Sequence, residues 1–335
     1  MSRGTEIEIG HTPRPARQRP GAFTILRQLA DATFVDGSNH GGRSARALFC
    51  DRDGPLPGAR SLKQHLAAHG NPQRVCVFVH GLACDESCWG ERPAIVYGDA
   101  LASELGYGAL YVRYDSRRSH AQNGAALCAL LGRLERVAGT RLREVVLVGH
   151  SLGGLVIRHA CVHAAQRGRA WLRRIGMVVC LGTPHRGAPI ARLLGRFARW
   201  YEGRLRRHDA TRWLANLSEG LRDLQHGFCI PELPPAVRRI PHRYLAACVG
   251  PTPDHRLTRW LGDGVVSLDS ATARDVPGDL RCATIGSLHH VHMLQEPRVY
   301  AQLKAWLAER RRRRVARRVR RRATRAIAQT VTSSA

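Results

Sequence analysis

Ser151 is the residue whose surroundings most favour chemistry, because it stands at the centre of a G-x-S-x-G pattern between residues 149 and 153. A hydroxyl is a poor nucleophile at neutral pH, so a catalytic serine needs a histidine as general base and an acid that orients the histidine. Four apolar residues, 145–148, precede the pattern, and helical spacing follows it. Strand, tight turn and helix are the context of an exposed nucleophilic serine. The alternative is a glycine-rich turn whose serine only caps the helix.

An acid and a group of histidines follow Ser151 in the order that such a triad requires. Asp263 lies between two glycines, which suit a tight loop that presents a carboxylate, and histidines stand at positions 289, 290 and 292. Each group comes just after a predicted strand. The histidines could instead bind a metal, but no further ligand of matching spacing accompanies H-H-x-H. We therefore expect no metal and no cofactor.

The oxyanion that forms during acyl transfer needs backbone N–H donors that are already in place. We expect one donor from Leu152, directly after the serine, and the second from Leu82, in the loop after the first core strand. His80 is expected to brace that loop rather than to titrate. His185 and Arg186 are likewise expected to fix the turn after the strand that follows the serine.

The elements that must position these residues are short apolar strands that alternate with helical segments. This alternation predicts an α/β protein with a mostly parallel sheet and helices on both faces. Ligands in such sheets bind beyond the carboxyl ends of the strands, so the turns at His80, Ser151 and Thr183 should share one edge. The predicted strands cover residues 75–79, 108–114, 145–148, 175–181, 244–249 and 282–285.

An amphipathic segment interrupts the alternation between Pro189 and Gln225. Its apolar residues recur at the i, i+3, i+4 and i+7 positions of a helix, with arginines on the opposite face. We interpret residues 189–235 as a helical cap over the active edge, whose apolar face would meet an apolar substrate. The alternative is an ordinary surface helix packed on the core.

The composition limits the kind of protein. The chain has 335 residues, of which 44% are hydrophobic, and ten cysteines. These values suit one α/β core with appendages. No run approaches the roughly 18 apolar residues of a membrane span, and residues 1–10 lack the regions of a secretory signal. We expect a cytoplasmic protein with reduced thiols. Cys84 and Cys88 could hold a metal or act in redox chemistry, but no second pair has ligand spacing.

The chain is strongly basic, with 53 lysines and arginines against 26 acids and a formal net charge of +27. Residues 310–335 contain eleven arginines and no acid. Such a tail can contact the phosphates of an anionic membrane or a nucleic acid, and could hold the protein at a membrane periphery. A solvated tail without a partner is the alternative. Apolar residues spaced four apart from Val315 could extend the preceding helix, although like charges at i and i+4 oppose it.

Six short motifs, in order, resemble the α/β-hydrolase superfamily, specifically bacterial lipase/esterase-like hydrolases related to the PGAP1-like group. The resemblance covers about residues 70 to 308. The matching stretches are VHGL at 79–82, YVRYD at 111–115, GHSLGG at 149–154, LGTPHRG at 181–187, GDGVV at 262–266 and HVHML at 290–294.

This resemblance implies a serine hydrolase that cleaves carboxylic esters, with a small-molecule or lipid ester as substrate and no specific protein partner. It places the nucleophile on Ser151, the acid on Asp263 and the base on a histidine that two residues separate from a pair of apolar residues. Counting back from Met293-Leu294 selects His290, with His289 as the competitor and His292 as a neighbour. Acyl transfer and hydrolysis of thioesters or amides use the same triad. A different class of alternative is a non-catalytic binding protein on this scaffold, attached to anionic surfaces by its tail.

The domain organisation that we predict follows from these regions. Residues 1–69 form an N-terminal extension with short helices, at 23–34 and 61–69. Residues 70–309 form an α/β-hydrolase domain that carries the cap, and residues 310–335 form the arginine-rich C-terminal tail.

Overall fold

The computed structural model describes residues 47–70, 72–82, 84–90, 95–188, 219–228 and 233–333. Backbone contacts divide the chain into residues 1–39 and 40–335, and every described residue belongs to the second unit. The helix expected at 23–34 and most of the cap expected at 189–235 lie outside the described residues.

The described residues form one sheet of eight strands. The strands are β1 (Leu48–Cys50), β2 (Pro55–Leu56), β3 (Arg74–Val79), β4 (Gly108–Arg113), β5 (Glu144–His150), β6 (Ile175–Leu181), β7 (His242–Ala247) and β8 (Leu280–Ile285). Their order is β2-β1-β4-β3-β5-β6-β7-β8. Strands β3 to β8 run parallel to one another, whereas β1 is antiparallel to β2 and β4. The predicted α/β class with a mostly parallel sheet is confirmed.

Helices pack on both faces of this sheet. Within the described residues they are α1 (Ala59–Ala68), α2 (Tyr97–Leu105), α3 (His120–Ala138), α4 (Leu152–Gln166), α5 (Glu219–His226), α6 (Pro235–Arg238), α7 (Arg256–Leu261), α8 (Leu268–Thr272) and α9 (Pro297–Ser333). Side chains of α1, α3 and α4 share one core cluster, and those of α2 and α9 share the other. The expected helices on both faces are therefore present.

The alternation of side chains along β3 shows how the sheet separates the two cores. Val75, Val77 and Val79 belong to the first cluster, whereas Cys76 and Phe78 belong to the second. Successive side chains of a strand point to opposite faces, so a strand covered on both faces is apolar throughout. This is why the central strands are continuous apolar runs in the sequence.

Two parts of the fold add to the sequence-based prediction. Strands β1 and β2 lie before residue 70 and extend the sheet on the outer side of β4. Helix α9 continues as one helix to Ser333. Its extension is attached to the sheet, because Arg310 and Arg314 both pair with Glu144, a buried acid at the start of β5.

Candidate active site

The turn between β5 and α4 holds Ser151 in an unusual backbone conformation. Its φ is 52° and its ψ is −123°, a combination that side-chain-bearing residues rarely adopt. The backbone N–H of Ser151 donates to the carbonyl of Leu181 at 2.9 Å, which ties the turn to the end of β6. The surrounding structure therefore enforces a strained serine at the carboxyl edge of the sheet, as is common at functional sites.

The flanking glycines are needed because backbone passes directly beside them. A Cβ atom at Gly149 would lie 2.6 Å from the backbone nitrogen of Gly154. A Cβ atom at Gly153 would meet the backbone carbonyls of Val79 and His80. The two glycines of the G-x-S-x-G pattern therefore allow α4 to begin in close contact with β3 and β5.

Asp263 and His290 form the second part of the site. Nδ1 of His290 lies 2.7 Å from Oδ2 of Asp263, and both residues are buried. A carboxylate can only accept, so Nδ1 carries the proton and Nε2 is left as the basic nitrogen. The other oxygen, Oδ1, accepts the backbone N–H groups of Val265 and Val266 at 3.0 and 2.8 Å. The His290 N–H donates to the Asp263 carbonyl at 3.1 Å, so backbone and side chains hold the pair together.

The three neighbouring histidines have different surroundings. Among them, His290 is the one that the structure places on Asp263. The rings of His289 and His292 contact each other instead, with centroids 5.9 Å apart. His290 is buried, whereas His292 is exposed. The sequence left the choice between His289 and His290 open, and the contact with Asp263 favours His290.

His150 is a neighbour of this pair that the sequence analysis did not single out. Its ring centroid lies 4.7 Å from that of His290, and its Nε2 lies 3.2 Å from the His290 carbonyl oxygen. A carbonyl only accepts, so Nε2 of His150 donates. Burial, and then the neighbouring His290, hold the pKa of His150 well below its usual value. A neutral His150 therefore supports the backbone of His290 without adding charge beside it.

His80 lies in the loop after β3, where it was expected to act as a brace. Its Nδ1 donates to the Gly81 carbonyl at 2.9 Å, and its ring stacks on Tyr114 with centroids 4.2 Å apart. The Tyr114 hydroxyl donates to the His80 carbonyl at 2.7 Å. Burial lowers the pKa of His80 to about 4. These contacts fit a structural role in the loop.

One expected oxyanion donor belongs to the residue that follows Ser151, and the other to the loop after β3. Leu152 is the first residue of α4 and is fully buried. Leu82 is half-buried and follows Gly81, whose position is so close to the turn that a Cβ there would lie 3.2 Å from Cβ of Ser151. The loop after β3 therefore reaches the serine, as the proposed arrangement requires.

The comparison with known families agrees with this fold. The model of the alpha/beta hydrolase family matches residues 76–303, which is more than half of the chain. The chain belongs to the alpha/beta hydrolase family. No curated protein matches it in sequence.

Solved structures related to this hydrolase include a mature lipase of Bacillus licheniformis, with a TM-score of 0.51 and 22% identity over 70% of this chain and 91% of that chain. The propeptide form of that lipase has a TM-score of 0.50 and 21% identity, over 76% of this chain and 51% of that chain. A metagenomic carboxyl esterase has a TM-score of 0.45 and 20% identity, over 66% of each chain. At such identities the likeness of the lipase structures shows the fold alone.

His185 and Arg186 of the hydrolase are engaged in fixing the turn after β6. Nδ1 of His185 lies 2.9 Å from Nη1 of Arg158, and its ring stacks on Tyr244 with centroids 4.0 Å apart. The backbone N–H of Arg186 donates to Oγ of Ser270 at 3.0 Å. Burial, followed by the charge of Arg158, keeps the pKa of His185 well below its usual value. Both residues thus have the structural surroundings that the sequence suggested.

In the part of the hydrolase that the structure describes, no group of three or more histidine, cysteine, aspartate or glutamate residues could hold a metal ion. None of the described helices is both long enough and apolar enough to cross a membrane.

Proposed function

We propose that this hydrolase cleaves carboxylic esters through an acyl-enzyme, with Ser151 as nucleophile, His290 as general base and Asp263 as the acid that orients the histidine. The observation that carries the proposal is the buried contact of 2.7 Å between Asp263 and His290. This pair lies at the same edge of the sheet as the strained Ser151 turn, because each follows the carboxyl end of a parallel strand.

The protonation states follow from the contacts. The proton on Nδ1 of His290 points at Asp263, so Nε2 is free to take the proton of the Ser151 hydroxyl as Oγ attacks the ester carbonyl. The oxyanion would accept the N–H groups of Leu152 and Leu82. Nε2 then returns the proton to the departing alkoxide. In the second half, His290 activates a water that attacks the acyl-enzyme, and Ser151 leaves with its proton restored.

The preference for esters comes from the motifs shared with bacterial lipase/esterase-like hydrolases related to the PGAP1-like group, to which we assign the chain. The same three side chains would also support acyl transfer or the hydrolysis of thioesters and amides. Parallel assays with matched oxygen-ester, thioester and anilide substrates of one acyl group separate these reactions. Faster turnover of the thioester or anilide would redirect the substrate assignment while leaving the nucleophile unchanged.

A fluorophosphonate probe tests the nucleophile directly, because it reacts with a working catalytic serine. The wild type should be labelled and should hydrolyse a p-nitrophenyl ester, whereas Ser151→Ala should do neither and should unfold at the same urea concentration. Ser287→Ala is the matched control, since Ser287 also has a positive φ, of 53°, but its side chain is exposed and lies outside the G-x-S-x-G pattern. Labelling that persists in Ser151→Ala would refute the assignment, and an unlabelled wild type would indicate a non-catalytic scaffold.

A second candidate function is favoured by the helical tail. Arg311, Arg312 and Arg313 are exposed on α9, and we propose that they bind phosphate-bearing surfaces. Binding to duplex DNA and to anionic vesicles should fall steeply with salt and weaken in R311Q/R312Q/R313Q. This variant keeps the two pairs with Glu144 intact. Salt-independent binding, or equal binding by the triple variant, would leave these arginines solvated without a partner.

A further inference from the structure

Exposed large apolar side chains cluster in sequence around the acid and the base. Among the described residues, five such side chains are exposed, and four of them lie beside Asp263 or His290. Helix α7 carries three and ends two residues before Asp263, and the fourth directly follows His290. The five are Leu257, Trp260, Leu261, Val291 and Val315. Exposed apolar groups that concentrate at one place mark an interaction surface, whereas scattered ones do not.

Helix α7 presents its apolar stripe outwards. Leu257, Trp260 and Leu261 have the spacing i, i+3 and i+4, so they share one face, and they are 52%, 88% and 53% exposed. Thr258 is buried, and its hydroxyl donates to the carbonyl of Thr252 at 2.7 Å. An amphipathic surface helix normally turns its apolar stripe to the core. Here the polar Thr258 faces inwards and the tryptophan faces solvent.

Backbone hydrogen bonds fix this helix to the edge of the sheet that carries the site. The N–H of Val249, just beyond β7, donates to the carbonyl of Gly262 at 2.8 Å, and the N–H of Gly262 donates to the carbonyl of Thr258 at 2.9 Å. Asp263 follows directly. The end of α7, which carries Trp260, is therefore held at the same edge as the Asp263–His290 pair.

The charges on α7 indicate what this face meets. Arg256 and Arg259 are exposed on the helix, and within the described residues neither pairs with a carboxylate. The acid nearest in sequence is Asp254, a single negative charge against these two arginines, and the whole chain carries a net charge of +27. Tryptophan and arginine suit a lipid headgroup layer, where the indole lies at the boundary and the guanidinium meets phosphate. A second copy of this chain would bring like charges together, which disfavours it as the partner.

We propose that α7 docks the protein onto an anionic lipid surface, with Trp260 at the headgroup boundary and Leu257 and Leu261 turned into the apolar layer. The edge with Ser151 and His290 then faces the lipid, so the ester would come from the lipid phase; this last step rests on the proposed function. The arginine tail cannot supply this orientation. Its helix is fastened to Glu144 at the start of β5, whereas Ser151 follows the end of that strand.

The position of Trp260 can be read from its own fluorescence. The full-length protein is mixed with vesicles of phosphatidylcholine and phosphatidylglycerol that carry bromine on the acyl chains, at a salt concentration that weakens the tail's contribution. We expect quenching in the wild type that is largely lost in Trp260→Phe, which keeps an apolar ring. Of the other tryptophans in the described residues, Trp89, Trp171 and Trp306 are buried. The double variant L257S/W260S should partition roughly 10-fold or more weakly.

The matched control is Val315→Ser, because Val315 is the fifth exposed apolar residue and is 57% exposed on the tail helix. Its partitioning and quenching should equal those of the wild type. Vesicle binding without quenching of Trp260 would mean that the tail alone holds the protein, and would overturn the proposal. So would a concentration-dependent dimer that W260S abolishes.

Hydrolysis of a water-soluble p-nitrophenyl ester separates this proposal from the proposed function. L257S/W260S should turn over the soluble ester as the wild type does, since neither residue belongs to the catalytic group. Loss of lipid binding with normal soluble turnover supports the docking role of α7. Lipid binding through Trp260 in a wild type that hydrolyses no ester would sink the proposed function and leave the docking surface standing.

Discussion

Replacement of Asp263 by asparagine should invert the protonation of His290 without moving it. The oxygen Oδ1 of Asp263 accepts two backbone N–H groups, from Val265 and Val266. In Asp263→Asn the amide oxygen must stay in the Oδ1 position, because a flipped amide would place its NH₂ against both N–H donors, of which that of Val266 is buried and that of Val265 part-buried. One unsatisfied buried donor costs about 1–3 kcal/mol, so the flipped form is disfavoured by at least that amount. The amide NH₂ therefore faces Nδ1 of His290.

The catalytic consequence is large although the change in shape is small. Nδ1 must now accept, so the ring proton moves to Nε2, and the histidine can no longer take a proton from Ser151. A serine hydrolase with the wrong histidine tautomer loses about 10⁴-fold in kcat. This loss corresponds to about 5 kcal/mol of transition-state stabilisation. Because both backbone hydrogen bonds persist, the free energy of unfolding should fall by only about 1–2 kcal/mol.

Two measurements examine this reasoning. Initial rates with a p-nitrophenyl ester give kcat and KM, and we expect the loss in kcat with KM little changed. Nitrogen-15 spectra of labelled histidine should show the His290 proton on Nδ1 in the wild type and on Nε2 in Asp263→Asn. Asp269→Asn is the control, since the Asp269 carboxylate is exposed and pairs with Arg186. If Asp263→Asn retained activity within about 10-fold of the wild type, Asp263 would not be the orienting acid.

Three further predictions concern stability. Removal of both cations in R310Q/R314Q leaves Glu144, whose side chain is 4% exposed, without its partners. The free energy of unfolding in urea should fall by about 3 kcal/mol, the lower limit for a buried pair, because the arginines are 28% and 50% exposed. Adding E144Q to this variant should restore much of the lost stability. Gly153→Ala places a methyl group against two backbone carbonyls, so thermal unfolding should shift down by about 5 °C or more, and an unchanged Tm would contradict the close packing. Burial lowers the pKa of His80 from 6.5 to about 4, so between these pH values the unfolded state binds a proton that the folded state excludes. The free energy of unfolding should therefore fall as pH decreases from 6.5 towards 4, with a contribution of up to about 3 kcal/mol from this residue. In His80→Asn the free energy of unfolding should depend less steeply on pH.

The sequence contained enough to predict the centre of the sheet. The runs that form β3, β5 and β6 are apolar on both faces, and this leaves a signal that needs no knowledge of the neighbours. The edge of the sheet has no such signal. Strands β1 and β2 have three and two residues, and β1 is defined by its pairing with β2 and β4.

The helical tail shows a different limit of sequence reasoning. Like charges at i and i+4 destabilise an isolated helix, so the sequence beyond Arg310 argues locally against one. The partner that offsets two of those charges is Glu144, which lies more than 160 residues earlier in the chain. Such a long-range contact has no local trace. Helix α7 escaped prediction for a similar reason, because its apolar residues point to solvent instead of following a core.

The sequence predicted candidate residues for the site, and the structure adds the contact between Asp263 and His290. Ser151 and Asp263 stood out because glycines flank them in patterns with a mechanical reason. The histidine was ambiguous, since residues 289, 290 and 292 differ little in sequence context, and only the contact with Asp263 distinguishes them. His150 ends an apolar strand and was not singled out in the sequence; its position against His290 depends on how two distant segments meet.

The attachment of α9 to the central strand has a consequence for biosynthesis. The partners of Glu144 follow it by 166 and 170 residues. At the usual rates of translation, the ribosome makes β5 about 10–30 seconds before it makes those arginines. During that time the Glu144 carboxylate lacks the ion pairs with Arg310 and Arg314 that accompany its burial in the folded protein. We therefore expect the nascent chain to complete its sheet only after the arginines emerge, with its valine-rich strands in need of protection until then.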